Sequence, residues 1–507
     1  MVNLKLEIHP KVFLTSASLI VLFVLLTLLN LSRMSQVFEV VQEIIATKAG
    51  WFYILSVNIY LALVIYLMFS RFGKVRLGGP DARPDFSYWS WFSMLFSAGM
   101  GIGLVFYSVA EPITHYSTPP VGPGSTPQAA QLAMNLTFFH WGLHAWGLYA
   151  LMGLGLAFFC FNHGLPLTVR AAFYPLLGEK VHGWPGDVVD ILATVSTVFG
   201  LATSLGLGAR QINAGLAHLL GIPQNTGVQI TLIFGITAIA LASVVLGLRR
   251  GIRRLSQFNM VMAFLLLAFL LWVGPTVVLF RAFLENIGTY MDRLPALGLW
   301  TGTYGTGQNW QSNWTIFYWA WWISWSPFVG IFVARISRGR TVREFLCSVL
   351  FVPTLLTFVW LTVFGNTALF EEVLGSGEIV EAVNENVATA LFVLLDRFPL
   401  STLTCSLAVI VIAVFFVTSS DSASLVVDII TAGGNLDPPV IQRVFWASME
   451  GVVAAVLLLG GGLQALQTAV MITGLPFSIV LLALGYSLLK GLFREEREQK
   501  TTASERK

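Results

Sequence analysis

Long apolar segments separated by short polar ones run through almost the whole chain. Segments of about 20 apolar residues, the length at which a helix crosses a bilayer, recur twelve times. This pattern predicts an all-α integral membrane protein in which nearly every helix spans the bilayer. The predicted spans lie near residues 12–31, 52–70, 88–110, 133–160, 189–208, 227–248, 257–280, 314–335, 345–366, 402–427, 444–460 and 465–489.

The distribution of basic residues supports this number of spans. Cytoplasmic loops of membrane proteins are enriched in Lys and Arg, and with the amino terminus inside, 23 of the 29 Lys and Arg residues fall in inner segments. One missed or extra span would destroy this alternation, so the charges predict twelve transmembrane helices with both termini in the cytoplasm. The six outer basic residues are Arg33, Lys48, Arg210, Arg281, Arg293 and Arg397.

Composition narrows the class of protein. The chain of 507 residues is 56% hydrophobic and 11% charged, whereas a soluble domain carries about 25% charged residues, so a soluble protein is excluded. The three cysteines all lie in apolar segments and indicate neither a disulfide framework nor a metal motif. The net charge of +3 says little about partners, and besides the lipid bilayer we expect a small-molecule substrate and no nucleic acid.

The eighth predicted span concentrates tryptophan in its middle. Trp319, Trp321, Trp322 and Trp325 fall within seven residues, although Trp normally lies at the membrane interface. Packing in the core is one explanation for a single buried Trp. A cluster beside the helix-breaking Pro327 instead favours a binding surface made of ring faces. Such a surface suits a quaternary ammonium group, which cannot donate hydrogen bonds and is held by aromatic rings.

The third and eighth spans each carry a sequence expected to interrupt a helix. Gly99, Gly101 and Gly103 alternate in the third span and would point in different directions around a helix, which predicts an unwound backbone lining a cavity. The eighth span carries Ser326-Pro327-Phe328-Val329-Gly330. Interrupted helices five spans apart predict two inverted repeats with a binding site between them. Ordinary packing through small residues is the alternative.

The fourth span offers a second aromatic wall. It reads HWGLHAWGLYALMG, and on one continuous helix Trp141, Trp146 and Tyr149 fall within an arc of roughly 140°. Together with the tryptophans of the eighth span, this wall predicts a two-sided aromatic box. His140 and His144 have the spacing of a metal pair but lack a carboxylate ligand or an HExxH pattern, so they predict no metal site.

Three motifs together resemble the betaine/choline/carnitine transporter family over nearly the whole chain: GMGIGLVFYSVAEP, the HWxxHxWxxY pattern and FYWAWWISWSPFVGIFVARISRGR. The resemblance implies a homotrimer in a bacterial inner membrane and a LeuT-like fold, in which two extra helices precede a five-plus-five inverted repeat. It divides the chain into a short cytoplasmic tail (1–11), two peripheral helices (12–80), a first repeat (81–300), a second repeat (301–491) and a charged cytoplasmic tail (492–507).

The resemblance also implies a central substrate site. A trimethylammonium group is expected among the aromatic rings, and a carboxylate near the glycine peptides of the third span, where no side chain keeps an anion away. Choline carriers of the family tend to place an acidic residue at position 103, so a glycine there favours a zwitterion such as glycine betaine. The implied residues are Trp141, Trp146, Tyr149 and Trp322 around the ammonium group, Trp321 and Trp325 along the passage, and Ile102, Gly103 and Ser204 near the carboxylate.

For sodium-coupled members, the resemblance implies an ion site between the third and tenth spans. The hydroxyls of Thr418 and Ser419 and the carbonyls of Phe415, Ser97 and Met100 would supply five oxygens, which suit a small hard cation. Unwound helix segments commonly coordinate the coupling ion in this way. Na⁺ is the only cofactor expected, and no other metal is.

A second sodium site of the family uses two hydroxyls one turn apart on the fifth span and a ring on the eighth. Thr197 and Phe328 match this pattern, but Leu201 occupies the position of the second hydroxyl, so the second site is incomplete. Glu111 and Asp421 are ionisable groups at membrane depth, which are functional candidates by default. A structural pairing is the alternative for both.

The sequence therefore predicts a secondary transporter that imports glycine betaine with sodium by alternating access. A carrier of choline, ectoine or proline betaine, or coupling to protons, stays open. A membrane enzyme is disfavoured because the chain has no paired carboxylates, metal cluster or Ser–His arrangement at plausible spacing. A channel is disfavoured by the predicted inverted symmetry.

Overall fold

The computed structural model describes residues 6–99, 101–246, 249–304, 307–375 and 377–505. Within these ranges the only β structure is one isolated bridge between Arg76 and Thr341, so the protein is all-helical as predicted. The α-helices are α1 Pro10–Leu29, α2 Leu31–Phe69, α3 Tyr88–Gly99, α4 Ile102–Ser117, α5 Pro127–Trp141, α6 Leu143–His163, α7 Tyr174–Leu177, α8 Trp184–Leu220, α9 Thr226–Val245, α10 Arg249–Val273, α11 Thr276–Leu299, α12 Gln308–Gln311, α13 Phe317–Arg335, α14 Val342–Leu361, α15 Thr367–Leu374, α16 Ile379–Glu385, α17 Ala390–Leu395, α18 Ser401–Thr431 and α19 Val440–Glu505.

Ten helical segments of the described chain are long and apolar enough to cross a membrane, so the protein is a multi-pass membrane protein. The number differs from the twelve predicted spans at two places. Helices α3 and α4, with 12 and 16 residues, are each too short to cross alone. Helix α19 is counted once although it bends at Gly461 and Gly462, whose backbones are not helical. The twelve-span arrangement stays a prediction.

The third span is broken as the glycine pattern predicts. Helix α3 ends at Gly99 and α4 begins at Ile102, with Gly101 between them in an extended conformation (φ −165°, ψ −179°). The first peptide groups of α4 therefore have no preceding helical turn to bond with. Met100, the fifth residue predicted for the sodium site, lies outside the described residues.

The predicted interruption of the eighth span is wrong. Helix α13 continues through Pro327 to Arg335. Because proline has no N–H, the carbonyl of Ile323 loses its helical partner, but the hydroxyl of Ser326 donates to that carbonyl at 2.7 Å. A side chain that replaces the missing bond allows a transmembrane helix to contain proline without unwinding.

Helix α13 lies at the centre of the bundle because glycines on its neighbours let it approach closely. A Cβ atom on Gly200 of α8 would lie 2.9 Å from Trp325, and one on Gly474 of α19 would lie 2.9 Å from the carbonyl of Ala320. These distances are shorter than packed atoms allow, so only glycine fits. The aromatic segment of α13 is thereby held against two long helices.

Helix α11 is an element that the hydrophobic pattern did not predict. Its sequence carries charged residues such as Arg281 and Asp292 and no continuous apolar run. Only one side of it is buried, including Leu279, Asn286 and Tyr290. An amphipathic helix of this kind lies against the bundle instead of crossing the membrane, which is why counting apolar runs passes over it.

Candidate functional site

One internal cavity is lined by all nine residues that the sequence analysis assigned to substrate binding. We call it the aromatic cavity. Its empty volume, which includes space open to solvent, is ≈ 540 Å³. The nine predicted residues are Trp141, Trp146, Tyr149, Ile102, Gly103, Ser204, Trp321, Trp322 and Trp325, and Gly101, Leu104, Ala145, Val329 and Thr357 also line the cavity.

Aromatic rings from α5, α6 and α13 meet at steep angles around this cavity. Trp321 and Trp322 stack with ring centroids 4.8 Å apart and planes inclined by 12°. Trp141 stands edge-on to Trp322, with centroids 4.8 Å apart and planes at 69°, and Tyr149 faces Trp322 at 71°. Walls in different orientations present several π faces to one enclosed volume.

The indole N–H groups of the three α13 tryptophans that line the aromatic cavity are used within the protein. Trp325 and Trp321 both donate to the carbonyl of Gly200, at 2.9 and 3.3 Å. Trp322 donates to the carbonyl of His140 at 2.8 Å. These bonds fix the ring orientations and leave the faces, and not the polar edges, to meet a ligand.

Glu111 accepts hydrogen bonds from two of the aromatic side chains at this site. Its carboxylate is fully buried and accepts hydrogen bonds from the indole of Trp141 at 2.8 Å and from the hydroxyl of Tyr318 at 2.5 Å. Nδ1 of His140 lies 2.6 Å from the other carboxylate oxygen, and Nε2 of His115 lies 3.3 Å from it. The sequence left open whether Glu111 has a direct functional role or a structural one. Its contacts are those of a residue that positions aromatic side chains.

The cluster of Glu111, His115 and His140 brings three possible metal ligands within 4.8 Å of one another. The 2.6 Å separation between His140 and Glu111 is that of a hydrogen bond, because two ligands on one tetrahedral zinc ion would stand about 3.3 Å apart. Nε2 of His140 is also engaged, with the hydroxyl of Thr315 at 3.0 Å. The second histidine of the predicted pair, His144, approaches Asn58 instead, at 3.2 Å.

The fourth span is not one helix, contrary to the assumption behind its predicted aromatic face. It breaks at Gly142, whose backbone is not helical (φ −95°, ψ −139°), so Trp141 ends one helix and Trp146 lies on the next. A Cβ at Gly142 would lie 2.5 Å from the carbonyl of Phe138 and 2.7 Å from the hydroxyl of Tyr290. That hydroxyl accepts a hydrogen bond from the N–H of Leu143 at 3.0 Å, so the amphipathic helix α11 stabilises the break.

The start of α4 supplies the polar end of the aromatic cavity. Unpaired N–H groups and the positive end of the helix dipole gather at a helix N-terminus, and here they belong to Ile102 and Gly103, which line the cavity. A Cβ at Gly103 would lie 2.4 Å from Trp321 and 3.3 Å from Trp141. Any side chain at position 103 would therefore push into the aromatic wall.

A second cavity adjoins the first, and five of its ten lining residues carry a hydroxyl group. We call it the hydroxyl cavity. Four of the five residues predicted for the sodium site line it, and it shares Trp325 and Val329 with the aromatic cavity. The hydroxyl of Thr418 donates back to the carbonyl of Val414 at 2.9 Å, which leaves its lone pairs for another partner. The lining residues are Ser97, Ser256, Phe328, Phe332, Phe415, Thr418, Ser419 and Ser422, with the two shared ones.

The residues predicted for a second sodium site do not form one cavity. Phe328 lines the hydroxyl cavity, whereas Thr197 is buried and donates to the carbonyl of Ala193 at 2.7 Å. Leu201 is buried as well. Asp421, the other acid at membrane depth, forms an ion pair with Arg443 at 2.9 Å.

Several residues that line the cavities escaped the sequence analysis, among them two isolated hydroxyl residues. Thr357 of α14 reaches the aromatic cavity, and Ser256 of α10 reaches the hydroxyl cavity. Single hydroxyls in apolar helices usually bond to their own backbone, so no pattern distinguished these two. The contacts of Glu111 were equally hidden, because its partners outside its own helix come from two other helices, α5 and α13.

A multi-pass bundle with an aromatic cavity beside a break in a transmembrane helix has the organisation of a membrane carrier. Residues 11–497 match the betaine/carnitine/choline family of transporters, and the chain belongs to that family. It is therefore a membrane transporter and not an enzyme.

The most informative relatives align along almost the whole chain. A glycine betaine/proline/choline transporter of Vibrio parahaemolyticus is 47% identical over 509 residues, which cover 97% of this chain and 91% of that protein. A glycine betaine transporter of Bacillus subtilis is 48% identical and covers 90% of both chains. A glycine betaine transporter of Acinetobacter baylyi is 44% identical over 96% of this chain and 74% of its own.

Proposed function

We propose that this protein imports glycine betaine together with sodium by alternating access. One observation supports this proposal most directly. Hydrogen bonds within the protein already use the indole N–H groups of Trp141, Trp321, Trp322 and Trp325. A ligand entering the aromatic cavity meets π faces and no indole donors from these four residues. A trimethylammonium group, which is a cation without N–H groups, matches that surface.

The other half of the substrate would lie against the start of α4. A carboxylate needs donors, and the free peptide N–H groups of Ile102 and Gly103 and the helix dipole can supply them. Gly103 has no room for a side chain beside Trp321, so no acidic residue stands there to serve as a counter-ion for choline. The site thus favours a ligand that carries its own anion, in agreement with the glycine betaine named for all three relatives.

Coupling to sodium is supported by the hydroxyl cavity. Ser97, Phe415, Thr418 and Ser419 come together there, and oxygens from hydroxyl and carbonyl groups are the ligands that hard cations prefer. Trp325 and Val329 border both cavities. An ion in one would therefore stabilise the wall of the other, which is how sodium binding would favour substrate binding.

For the whole protein we propose twelve spans in two inverted five-helix repeats and a homotrimer in a bacterial inner membrane. The break between α3 and α4 supports a site at the interface of two repeats. The second repeat would contribute the unbroken α13, so the two halves of the site are not structurally equivalent. Tilting of one repeat against the other would open the site to each side in turn.

Uptake of radiolabelled glycine betaine by purified protein in liposomes tests this function. We expect concentrative, saturable uptake of unchanged substrate when sodium is higher outside, and equilibration only when sodium is equal on both sides. Uptake driven equally well by a proton gradient would contradict the sodium site. The absence of betaine uptake, with sodium-driven uptake of choline or ectoine instead, would contradict the proposed substrate.

A further inference from the structure

A buried cluster of one acid and two histidines lies beside the aromatic cavity. Glu111, His115 and His140 are all fully buried. In the described chain the carboxylate of Glu111 has ion-pair distances to these histidines only, 3.3 Å to His115 and 2.6 Å to His140. An acid at membrane depth is normally paired, because an isolated charge there is costly. Histidine carries no permanent charge, so the counter-charge of Glu111 is either a proton held by the cluster or a cation from outside the protein.

The hydrogen bonds of His140 are compatible with two protonation states of the cluster. Its Nδ1 lies 2.6 Å from the carboxylate of Glu111, and its Nε2 lies 3.0 Å from the hydroxyl of Thr315. A hydroxyl can either donate or accept. If Thr315 donates to Nε2, His140 is neutral and Glu111 is a carboxylate. If Thr315 accepts from Nε2, the Glu111–His140 pair holds one more proton and is neutral as a whole. The same positions of the heavy atoms satisfy both states.

The second histidine of the cluster is not suited to hold that proton. Nε2 of His115 lies 3.3 Å from the same carboxylate oxygen, but its Nδ1 is buried without a partner. An N–H at Nδ1 would be an unpaired buried donor, so this ring keeps its proton on Nε2 and stays neutral. The other titratable side chains around the cluster are Tyr107, whose ring centroid lies 5.5 Å from that of Tyr318, and His144, four residues after His140.

Two aromatic side chains connect the carboxylate of Glu111 to the substrate site. Trp141 lines the aromatic cavity and donates to the carboxylate at 2.8 Å, and Tyr318 donates to the same oxygen at 2.5 Å. The ring centroid of Tyr318 lies 5.6 Å from those of Trp141 and Trp322. Donation to an anion polarises the donor, so a charged Glu111 makes the faces of these rings more negative. More negative ring faces attract a cation more strongly.

We propose that Glu111 is the counter-charge of the substrate's ammonium group, and that the Glu111–His140 pair holds a proton in its place while the aromatic cavity is empty. The ammonium group favours the anionic carboxylate, so its binding releases the proton from the pair to water. By reciprocity, protons weaken the binding of betaine. The inference rests on the proposed function, because it concerns the same substrate. It adds that betaine and a proton compete for one negative charge through the rings of Trp141 and Tyr318.

Isothermal titration of glycine betaine into the purified full chain at saturating sodium tests this linkage. Phosphate and HEPES have different heats of ionisation, so the difference between the binding heats in these buffers at one pH gives the number of protons released. We expect the native protein to release about half a proton or more per betaine near neutral pH, where histidine commonly titrates. The proton-bound pair prevails at low pH, so the Kd of betaine should fall as the pH rises, about fivefold from about pH 6 to about pH 8.

Two variants remove the proton-binding pair in different ways. Glu111→Gln removes the charge, whereas His140→Asn keeps an N–H donor for Glu111 but cannot take up a proton. We expect betaine to release no proton from either variant and its Kd to be the same at both pH values. His182→Asn is the matched control, because His182 is an exposed histidine, and it should release protons as the native protein does. If Glu111→Gln does not fold, the native protein and His140→Asn decide the matter in the same assay.

Three results would overturn the inference. The first is betaine binding to the native protein with no proton release and a constant Kd over this pH range. The second is proton release that persists in the Glu111 or His140 variant, which would place the proton on another group and leave the cluster with a structural role only. The third is proton uptake on binding, which has the opposite sign. A native protein that binds no betaine at any pH would instead reject the proposed function, and the inference with it.

Discussion

The two adjoining cavities differ in what their walls leave free. In the aromatic cavity the indole N–H groups of four tryptophans are bonded to the protein, and the faces of these rings remain. In the hydroxyl cavity Phe415, Thr418 and Ser419 line the wall, the hydroxyl of Thr418 lies 3.3 Å from the carbonyl of Phe415, and oxygen lone pairs remain. The cavities share Trp325 and Val329, so the difference arises over a very short distance.

If the proposed function is correct, this difference would allow one protein to bind two chemically different cations at separate places. A large, weakly hydrated ammonium group is stabilised by π faces, whereas a small cation that holds its water tightly needs oxygens to replace that water. The lining of each cavity is therefore poorly suited to binding the other ion. Substitutions that change the lining of one cavity at a time test this difference.

The largest effect is expected from removing a π face. Trp322→Leu keeps an apolar side chain but loses the ring that stacks on Trp321 and faces Trp141. A desolvated cation–π contact is worth about 2 kcal/mol, so we expect betaine affinity to fall about thirtyfold. Isothermal titration at saturating sodium measures it, and half-saturation by sodium should change far less.

Trp272→Leu is the control for this variant, because Trp272 on α10 is 82% exposed and lines neither cavity. Undiminished betaine affinity in Trp322→Leu would show that the ammonium group binds elsewhere.

A somewhat smaller effect is expected from Glu111→Gln. Trp141 and Tyr318 donate to one carboxylate oxygen, and His140 and His115 contact the other. An amide must turn its N–H groups toward one of these two pairs. Leaving a buried donor unpaired costs about 1–3 kcal/mol, so we expect about tenfold weaker betaine binding and a lower Tm.

Titration and thermal unfolding of the purified protein measure both quantities for Glu111→Gln. Glu381→Gln, at an exposed position on α16, is the control. A lower Tm with native betaine affinity would mean that Glu111 stabilises the bundle without positioning the rings.

The complementary experiment changes the lining of the hydroxyl cavity. Thr418→Ala removes one of the oxygens from the hydroxyl cavity and leaves the aromatic cavity intact. We expect the sodium concentration for half-maximal uptake to rise about fivefold, as loss of one ligand worth about 1 kcal/mol implies. Betaine affinity at saturating sodium should remain native.

Thr404→Ala on the same helix serves as its control, because Thr404 also bonds back to its own backbone but lines neither cavity. Native sodium dependence in Thr418→Ala would place the coupling ion elsewhere.

The smallest effect is expected from Tyr290→Phe. This change removes the acceptor of the Leu143 N–H at the break of the fourth span and costs about 1 kcal/mol of stability. Because Trp141 adjoins the break, betaine affinity should fall about twofold, while sodium dependence stays native. Thermal unfolding and titration in the same preparation measure both, and a native Tm would contradict a role for α11 in holding the break.

The sequence predicted the residues that line the aromatic cavity more reliably than it predicted the backbone geometry that brings them together. The aromatic residues were recognisable because Trp in the middle of a span is unusual, and they do line one cavity. The argument that placed Trp141 and Trp146 on one helical face was wrong, because Gly142 breaks that helix. A single glycine between apolar residues does not reveal whether a tyrosine from a distant helix will stabilise a break.

The opposite error occurred at Pro327, where a break was predicted and the helix continues. The helix continues because the hydroxyl of Ser326 replaces the missing hydrogen bond. Whether a helix breaks at a proline therefore depends on such local geometry and not on the proline alone. Glu111 shows a third limit. Its membrane depth marked it as functional, but its role depends on rings that lie 30 and 207 residues away along the chain.

The most direct test of the central claim compares two ligands of the same shape in the native protein. Glycine betaine and 3,3-dimethylbutanoate both carry a carboxylate and three methyl groups, but only the first has a positive charge. If the ring faces recognise that charge, glycine betaine should bind at least about thirtyfold more tightly by isothermal titration at saturating sodium. Equal affinities would contradict the account, because they would mean that the aromatic cavity recognises only shape and apolar surface.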